Sequence, residues 1–236
     1  MRSIVVGFDC NNSCGFCAQG ALRQRIATRP IDELKIEVAQ TAQRGGSVAL
    51  VGGEPTLSDD LPSLIAWARA SGFSRVLLQT NGRRLSEPGL LASYIDAGLT
   101  GLDVSLHGAT AAMHEFHTQT ASSFRETVLG LTEAKRLGLP VGVTIVITRS
   151  NYRNLADIVR LARDLGARAV NLSVARALGS ARQSAPPLVP VREMVDPYLI
   201  AVVKAANAER MGVVVDGRTN DARWLEYFAG IGATES

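Results

Sequence analysis

Short β-branched runs alternate with segments of helical period six times along this chain, and that rhythm constrains the fold more than any single residue. The spacing predicts strands over Ser3–Phe8, Val48–Val51, Arg75–Gln79, Leu102–Leu106, Val141–Ile147 and Ala169–Val174, with a last short strand at Val213–Val215. It predicts helices over Ile31–Arg44, Leu61–Ala70, Leu90–Ala97 and about Arg192–Met211. Pro30 suits the first turn of the first helix, and Gly45-Gly46, Gly72 and Gly98 stop the first three. Ser123-Phe124-Arg125-Glu126 reads as a capping box opening a helix that runs to Leu137, with Gly138 as its stop. Leu155, Ile158, Val159, Ala162 and Leu165 make the apolar stripe of the next helix.

Repeated βα units build a parallel sheet with right-handed crossovers. Six units fall short of the eight that close a barrel, so the expected fold class is α/β, a partial (βα)6 TIM-like barrel. Its active site is expected at the C-terminal ends of the parallel strands. At 236 residues and 46% hydrophobic content the chain is expected to form a single domain: a core at about 3–176, then a helix and tail at 190–236. The tail carries Trp224, Tyr227 and Phe228, which could cap the open barrel or dock a partner.

The 25 basic and 22 acidic residues leave a net charge of +3 without a dense basic run, which reads as a solvated surface rather than a nucleic-acid footprint. No apolar run approaches the roughly 20 residues that span a bilayer, and Met1–Phe8 reads as a strand rather than a signal sequence. A cytoplasmic protein, with no membrane and no nucleic-acid partner, is the expectation.

The motifs cluster where strands end. Cys10, Cys14 and Cys17 are the only cysteines, spaced Cys-x3-Cys-x2-Cys just after the first strand. Three thiolates on one loop can hold three irons of a cubane iron–sulfur cluster and leave the fourth without a protein ligand. Three buried free cysteines, or zinc with a fourth ligand from His107, His114 or His117, are the alternatives. Gly52-Gly53-Glu54-Pro55 follows the second strand; the glycines admit a ligand close to free backbone amides, and Glu54 could meet an ammonium. Thr80-Asn81-Gly82 ends the third strand and offers polar groups to a sugar, or simply an Asn-Gly turn. On the fourth strand Asp103, Ser105 and His107 share one face, with Val104 and Leu106 on the other. His114 and His117 follow in a loop, with simple solvation as the alternative to a role for either. Arg149 and Arg176, after the fifth and sixth strands, could grip a carboxylate or lie on the surface.

Together, the cysteine loop after strand one, Gly-Gly-Glu-Pro after strand two and Thr-Asn-Gly after strand three resemble the radical S-adenosylmethionine (radical SAM) superfamily, with matching positions from about Ser3 to Arg176. The resemblance implies a [4Fe–4S] cluster on Cys10, Cys14 and Cys17, with S-adenosyl-L-methionine (SAM) chelating the fourth iron. Reductive cleavage of SAM would then release a 5′-deoxyadenosyl radical that abstracts hydrogen from a substrate. It further implies that Phe16 packs near adenine, and that Gly52, Gly53, Glu54 and Pro55 form the loop around the methionine amino group. Thr80, Asn81 and Ser105 would lie near the ribose or the methionyl carboxylate, and Val170 or Leu172 would flank adenine. His107, Arg149 and Arg176 are the candidate substrate contacts. The implied partners are an electron donor such as flavodoxin or ferredoxin, and a peptide or small-molecule substrate in peptide maturation or natural-product assembly. Glycyl-radical activases are similarly short but usually show Asp-x-Lys on strand four, where this chain has Asp103-Val104-Ser105. No cysteine follows Cys17, so auxiliary clusters are not expected on this polypeptide. The reading outside the family is a non-catalytic iron–sulfur or zinc module.

Overall fold

A computed structural model describes residues 1–20, 23, 29–42 and 46–216. The expected helix stop at Gly45 and the aromatic residues Trp224, Tyr227 and Phe228 lie outside the described residues. Among the described residues seven strands and seven α-helices follow one another, with two helices between the fourth and fifth strands: β1 (Arg2–Gly7), α1 (Ile31–Ala42), β2 (Ser47–Gly52), α2 (Leu61–Ala70), β3 (Arg75–Thr80), α3 (Leu90–Asp96), β4 (Gly101–Ser105), α4 (Ala111–Thr118), α5 (Ser123–Arg136), β5 (Val141–Ile147), α6 (Leu155–Asp164), β6 (Ala169–Val174), α7 (Arg192–Ala208) and β7 (Gly212–Val215). All seven strands are parallel and pair in sequence order, and β1 and β7 do not meet. The sheet is therefore an open barrel wall with β7 as a seventh strand beyond the six βα units.

Strand parity sorts the side chains. Val76, Leu78, Val104, Val143 and Ile145 are fully buried on the helix-facing side. There they meet the stripes of the helices, such as Leu155, Ile158 and Ala162 of α6 and Leu64, Ile65 and Ala68 of α2. Gln79, Asp103, Ser105, Thr144 and Ser173 take the other parity and face the lumen. The core thus lies between sheet and helices, and the polar strand positions are left to the concave side.

Two expectations fail locally. His114 and His117 are not in a solvated loop: they lie on α4, capped by the Thr110 hydroxyl accepting from Met113 N–H, and both are buried. The capping box does not form either. Ser122, at φ +64°, precedes the helix, and Ser123 is its first residue, with its hydroxyl bonded to Thr118 Oγ1 at 2.7 Å.

Candidate active site

The loop after β1 is held from behind by two guanidiniums. Arg23 donates to the carbonyls of Phe8, Cys10 and Asn12. Arg83 donates to Asn11 O and Asn12 Oδ1 and pairs with Glu126 of α5. Asn81 Nδ2 adds a 2.6 Å bond to Asn11 Oδ1. On the far side Ser180 N–H donates to Cys17 O at 2.9 Å, so the stretch after β6 also clasps the loop. Neither arginine stands out in the sequence, because a guanidinium that serves carbonyls has no periodicity or spacing signature.

Cys10, Cys14 and Cys17 line one wall of a cavity of about 330 Å³ at the C-terminal ends of the strands. Gly52, Gly53, Thr80, Asn81, Ser105 and His107 face it from β2, β3 and β4. Cys10 Sγ accepts from Asn12 N–H at 3.4 Å, and Asn81 Nδ2 lies 3.9 Å from the same sulfur. Burial raises the Cys10 thiol above its ordinary value, and burial with Cys10 and Cys17 beside it pushes Cys14 up to about 12. A raised thiol such as Cys10 or Cys14 gives up its proton most readily when a metal takes its place. Among the described residues no three Cys, His, Asp or Glu side chains converge on a single ion. A cubane asks for no such convergence, since it meets each sulfur at a separate iron corner. The sulfur donors, the hydrogen bonds to sulfur and the adjoining cavity fit an iron–sulfur cluster.

Gly52-Gly53-Glu54 is spliced to the cysteine loop. Gly53 N–H donates to Gly7 O at 2.9 Å and Glu54 N–H to Asp9 O at 2.7 Å. These amides are therefore taken, contrary to the expectation that they stay free. Nor is the Glu54 carboxylate left open for an ammonium. Its side chain is 3% exposed, and Oε1 accepts from Thr56 N–H and from the Thr56 and Thr80 hydroxyls, while Oε2 accepts from Asn81 N–H at 2.6 Å. Four donors use up the acceptor capacity of one carboxylate. Pro55 is buried at the start of a one-turn 3-10 helix, Pro55–Leu57. Glu54→Gln keeps the shape but turns one acceptor oxygen into a donor facing other donors. It should cost about 2 kcal/mol or more in denaturant unfolding, where an exposed Glu→Gln control such as Glu33→Gln costs almost nothing.

The histidines are organised by backbone groups. His107 Nδ1 accepts from Val146 N–H at 3.2 Å, and His114 Nδ1 accepts from His107 N–H at 3.2 Å, so both rings carry their proton on Nε2. His117 Nδ1 meets the Met113 carbonyl at 2.7 Å, which can only accept, so the His117 proton is on Nδ1 and Nε2 accepts from the Thr148 or Ser150 hydroxyl. The Phe16 ring packs edge-on against His107 at 4.7 Å. Burial first, then neighbouring histidines, holds His107 well below the usual imidazole range, and burial lowers His117. Burial lowers His114 from 6.5 to about 4. The unfolded chain thus binds more protons between those pH values, so the stability this group confers above pH 6.5 is lost as pH falls toward 4. Wild type should lose up to about 3 kcal/mol relative to His114→Gln over that window, measured as the difference between their denaturant unfolding free energies.

The remaining site residues divide. His107 and Arg176 line the cavity, but Arg149 does not; it is exposed, and its backbone N–H donates to Leu188 O. Val170 and Leu172 pair with Val143 and Ile145 on the helix-facing side and are fully buried in the core; from this part of the chain Ser173, Val174 and Ala175 reach the cavity instead. Thr80 and Asn81 line the cavity, yet their polar groups are largely committed to Glu54, Gly82, Asn11 and Arg83. No helix among the described residues is long and apolar enough to cross a membrane.

The profile of the Radical SAM superfamily matches residues 4–168. The probable GTP 3′,8-cyclase of Sulfolobus acidocaldarius is 32% identical over 162 residues, covering 67% of this chain and 50% of that protein. The GTP 3′,8-cyclase of Synechococcus elongatus is 37% identical over 163 residues, covering 66% and 49%. The chain thus spans about half the length of the curated relatives it matches. Streptococcus suis SuiB bound to S-adenosylmethionine superposes with a TM-score of 0.72 at 13% identity, covering 91% of this chain and 49% of SuiB. Bound to the precursor peptide SuiA, the same protein gives a TM-score of 0.74 at 14% identity, covering 95% and 51%. The chain belongs to the radical SAM superfamily, a family of enzymes that use a [4Fe–4S] cluster and S-adenosylmethionine.

Proposed function

We propose that this chain holds a [4Fe–4S] cluster on Cys10, Cys14 and Cys17, binds SAM in the adjoining cavity, and presents a substrate hydrogen from the lumen of the open barrel. When bound, the pair supplies one-electron cleavage of the sulfonium to a 5′-deoxyadenosyl radical that takes this hydrogen. The observation that carries the reading is the convergence of all three cysteines with Gly52-Gly53 and Ser105 on one cavity at the strand ends.

The chain's own part is binding and exclusion. Arg23 and Arg83 fix the loop that carries the thiols. With the Gly53 and Glu54 amides committed to β1 and its loop, backbone carbonyl oxygens are what this wall offers an ammonium. Ser105 and Ser173 offer hydroxyls to the ribose, and His107 and Arg176 stand at the substrate side. Phe16, Val146, Val174, Ala175 and Leu178 give the cavity apolar walls that limit water entry, which protects a reactive radical from side reactions. An electron carrier such as a flavodoxin or ferredoxin would supply the electron. A small-molecule substrate is favoured over a peptide: the relatives above 30% identity bear names of small-molecule enzymes, whereas the likeness to SuiB is of fold alone.

The test is anaerobic reconstitution with iron and sulfide, followed by SAM and dithionite. Formation of 5′-deoxyadenosine is the expected result. A cluster-loaded sample that forms none overturns the reading.

A further inference from the structure

A row of hydrogen-bonded side chains crosses the lumenal face of the sheet beside the cavity. Asn171 Nδ2 on β6 donates to Thr144 Oγ1 on β5 at 3.3 Å. The Thr144 hydroxyl donates in turn to the carboxylate of Asp103 on β4, 2.8 and 2.9 Å from its two oxygens. Gln79 Nε2 on β3 adds a long contact of 3.4 Å to Asp103 Oδ2. The direction of this chain is fixed. A hydroxyl has one proton; Thr144 gives it to Asp103, so it can only accept from Asn171, and the Asn171 amide is thereby oriented.

That orientation leaves the row short of donors. Asn171 Oδ1 is buried and accepts no hydrogen bond. The Asp103 carboxylate has roughly four acceptor positions and receives one hydroxyl proton and one long amide contact. The residue beside it on β5 is Gly142, which contributes no side chain to fill the space. Among the described residues no cationic side chain is hydrogen-bonded or ion-paired to Asp103. The other charged residue of this parity on β3 is Arg75, which lies beyond Leu77 and donates to Ser47 Oγ. Gln79 and Thr144, on either side of Asp103, both line the cavity, so the row adjoins the space the substrate would enter.

We propose that Asp103 and Asn171 form a subsite for an N–H donor group of the substrate, a protonated amine or an amidine-like edge. The inference rests on the radical SAM reading for its word "substrate" and on this row alone for its chemistry. Unpaired acceptors in a sheltered place are costly unless a donor arrives, and a positively charged donor satisfies the carboxylate and the amide oxygen together. Burial already raises the Asp103 carboxyl from 3.8 to about 6, as expected of a carboxylate with neutral partners only. Ser105 and Ser173, which flank the row, are neutral and add no competing charge.

The test uses the reconstituted full chain with carbon-13 in the aspartate carboxyls, the Asp103 signal being identified by its loss in Asp103→Asn. Its titration is followed with n-butylammonium chloride, with n-butanol, and with potassium chloride at equal ionic strength. Butylammonium should lower the Asp103 midpoint by about one unit or more, and the two controls should leave it in place. Asn171→Leu should weaken the butylammonium response several-fold while keeping the row's other members. Potassium producing the same shift would make this an inorganic cation site and overturn the proposal. So would a midpoint that saturating butylammonium does not move. No turnover is needed, so a failed deoxyadenosine assay and a failed titration are separate results.

Discussion

Replacing any one of Cys10, Cys14 or Cys17 by alanine abolishes 5′-deoxyadenosine formation and strips most of the iron from reconstituted protein. The chain has no other cysteine to substitute, and no fourth thiol stands in the cavity. Loss of one anchor leaves two, and the binding free energy of a metal site is shared with the folding of its loop, so the remaining pair also loses order. The three variants should not unfold the barrel. The core lies on the other side of the sheet, and the loop's clasp on Arg23, Arg83 and Ser180 does not use the sulfurs. Far-ultraviolet circular dichroism should therefore match wild type while the cluster's visible absorption disappears. Full activity in any one variant would show that the sulfurs are not the anchors.

Gly53→Ala should have nearly as large an effect from a residue that binds nothing through a side chain. A Cβ on Gly53 would sit against the carbonyl oxygens of Phe8 and Asp9 more closely than real Cβ atoms approach anything. Those carbonyls belong to rigidly tethered backbone immediately before Cys10, so relief comes only by pushing the cysteine loop away from β2. The overpacking should cost about 3 kcal/mol. The displacement should lower deoxyadenosine formation on the order of a hundredfold, because misplacement by about 1 Å has that effect on a positioned reaction. Gly72→Ala is the matched control: it also replaces a single glycine, at φ +101° but with open space around it, so it tests strain without collision. Iron content and product yield should fall together in Gly53→Ala and stay near wild type in Gly72→Ala.

Much of this was legible before any coordinates. The seven strands fall within one or two residues of where β-branched runs place them, because a parallel sheet covered by helices writes its strands as continuous apolar stretches. The placing of the cysteines, Gly52-Gly53, Ser105 and His107 together at the strand ends is also legible in the sequence, and all of them line one cavity. Helix α4 did not. Its buried face consists of His114, His117 and Thr118 rather than aliphatic residues, so it carries little hydropathy period, although Thr110 is a usable start signal. The charge of Glu54 suggests a ligand in the sequence, whereas its four donors come from backbone and hydroxyl groups brought in by folding. Val170 and Leu172 fail on parity: the residue that matters on β6 is one step away, at Ser173. Arg23 and Arg83 illustrate the general limit, since support given to backbone carbonyls leaves no mark in the order of residue types.

If three protein sulfurs hold a four-iron cluster and leave one iron for SAM, Mössbauer spectroscopy of protein reconstituted with iron-57 will resolve that inequality. Four irons per chain are expected and, on adding SAM, a changed isomer shift at one of them while three stay as they were. Four irons that all ignore SAM, or a single mononuclear site, would contradict it.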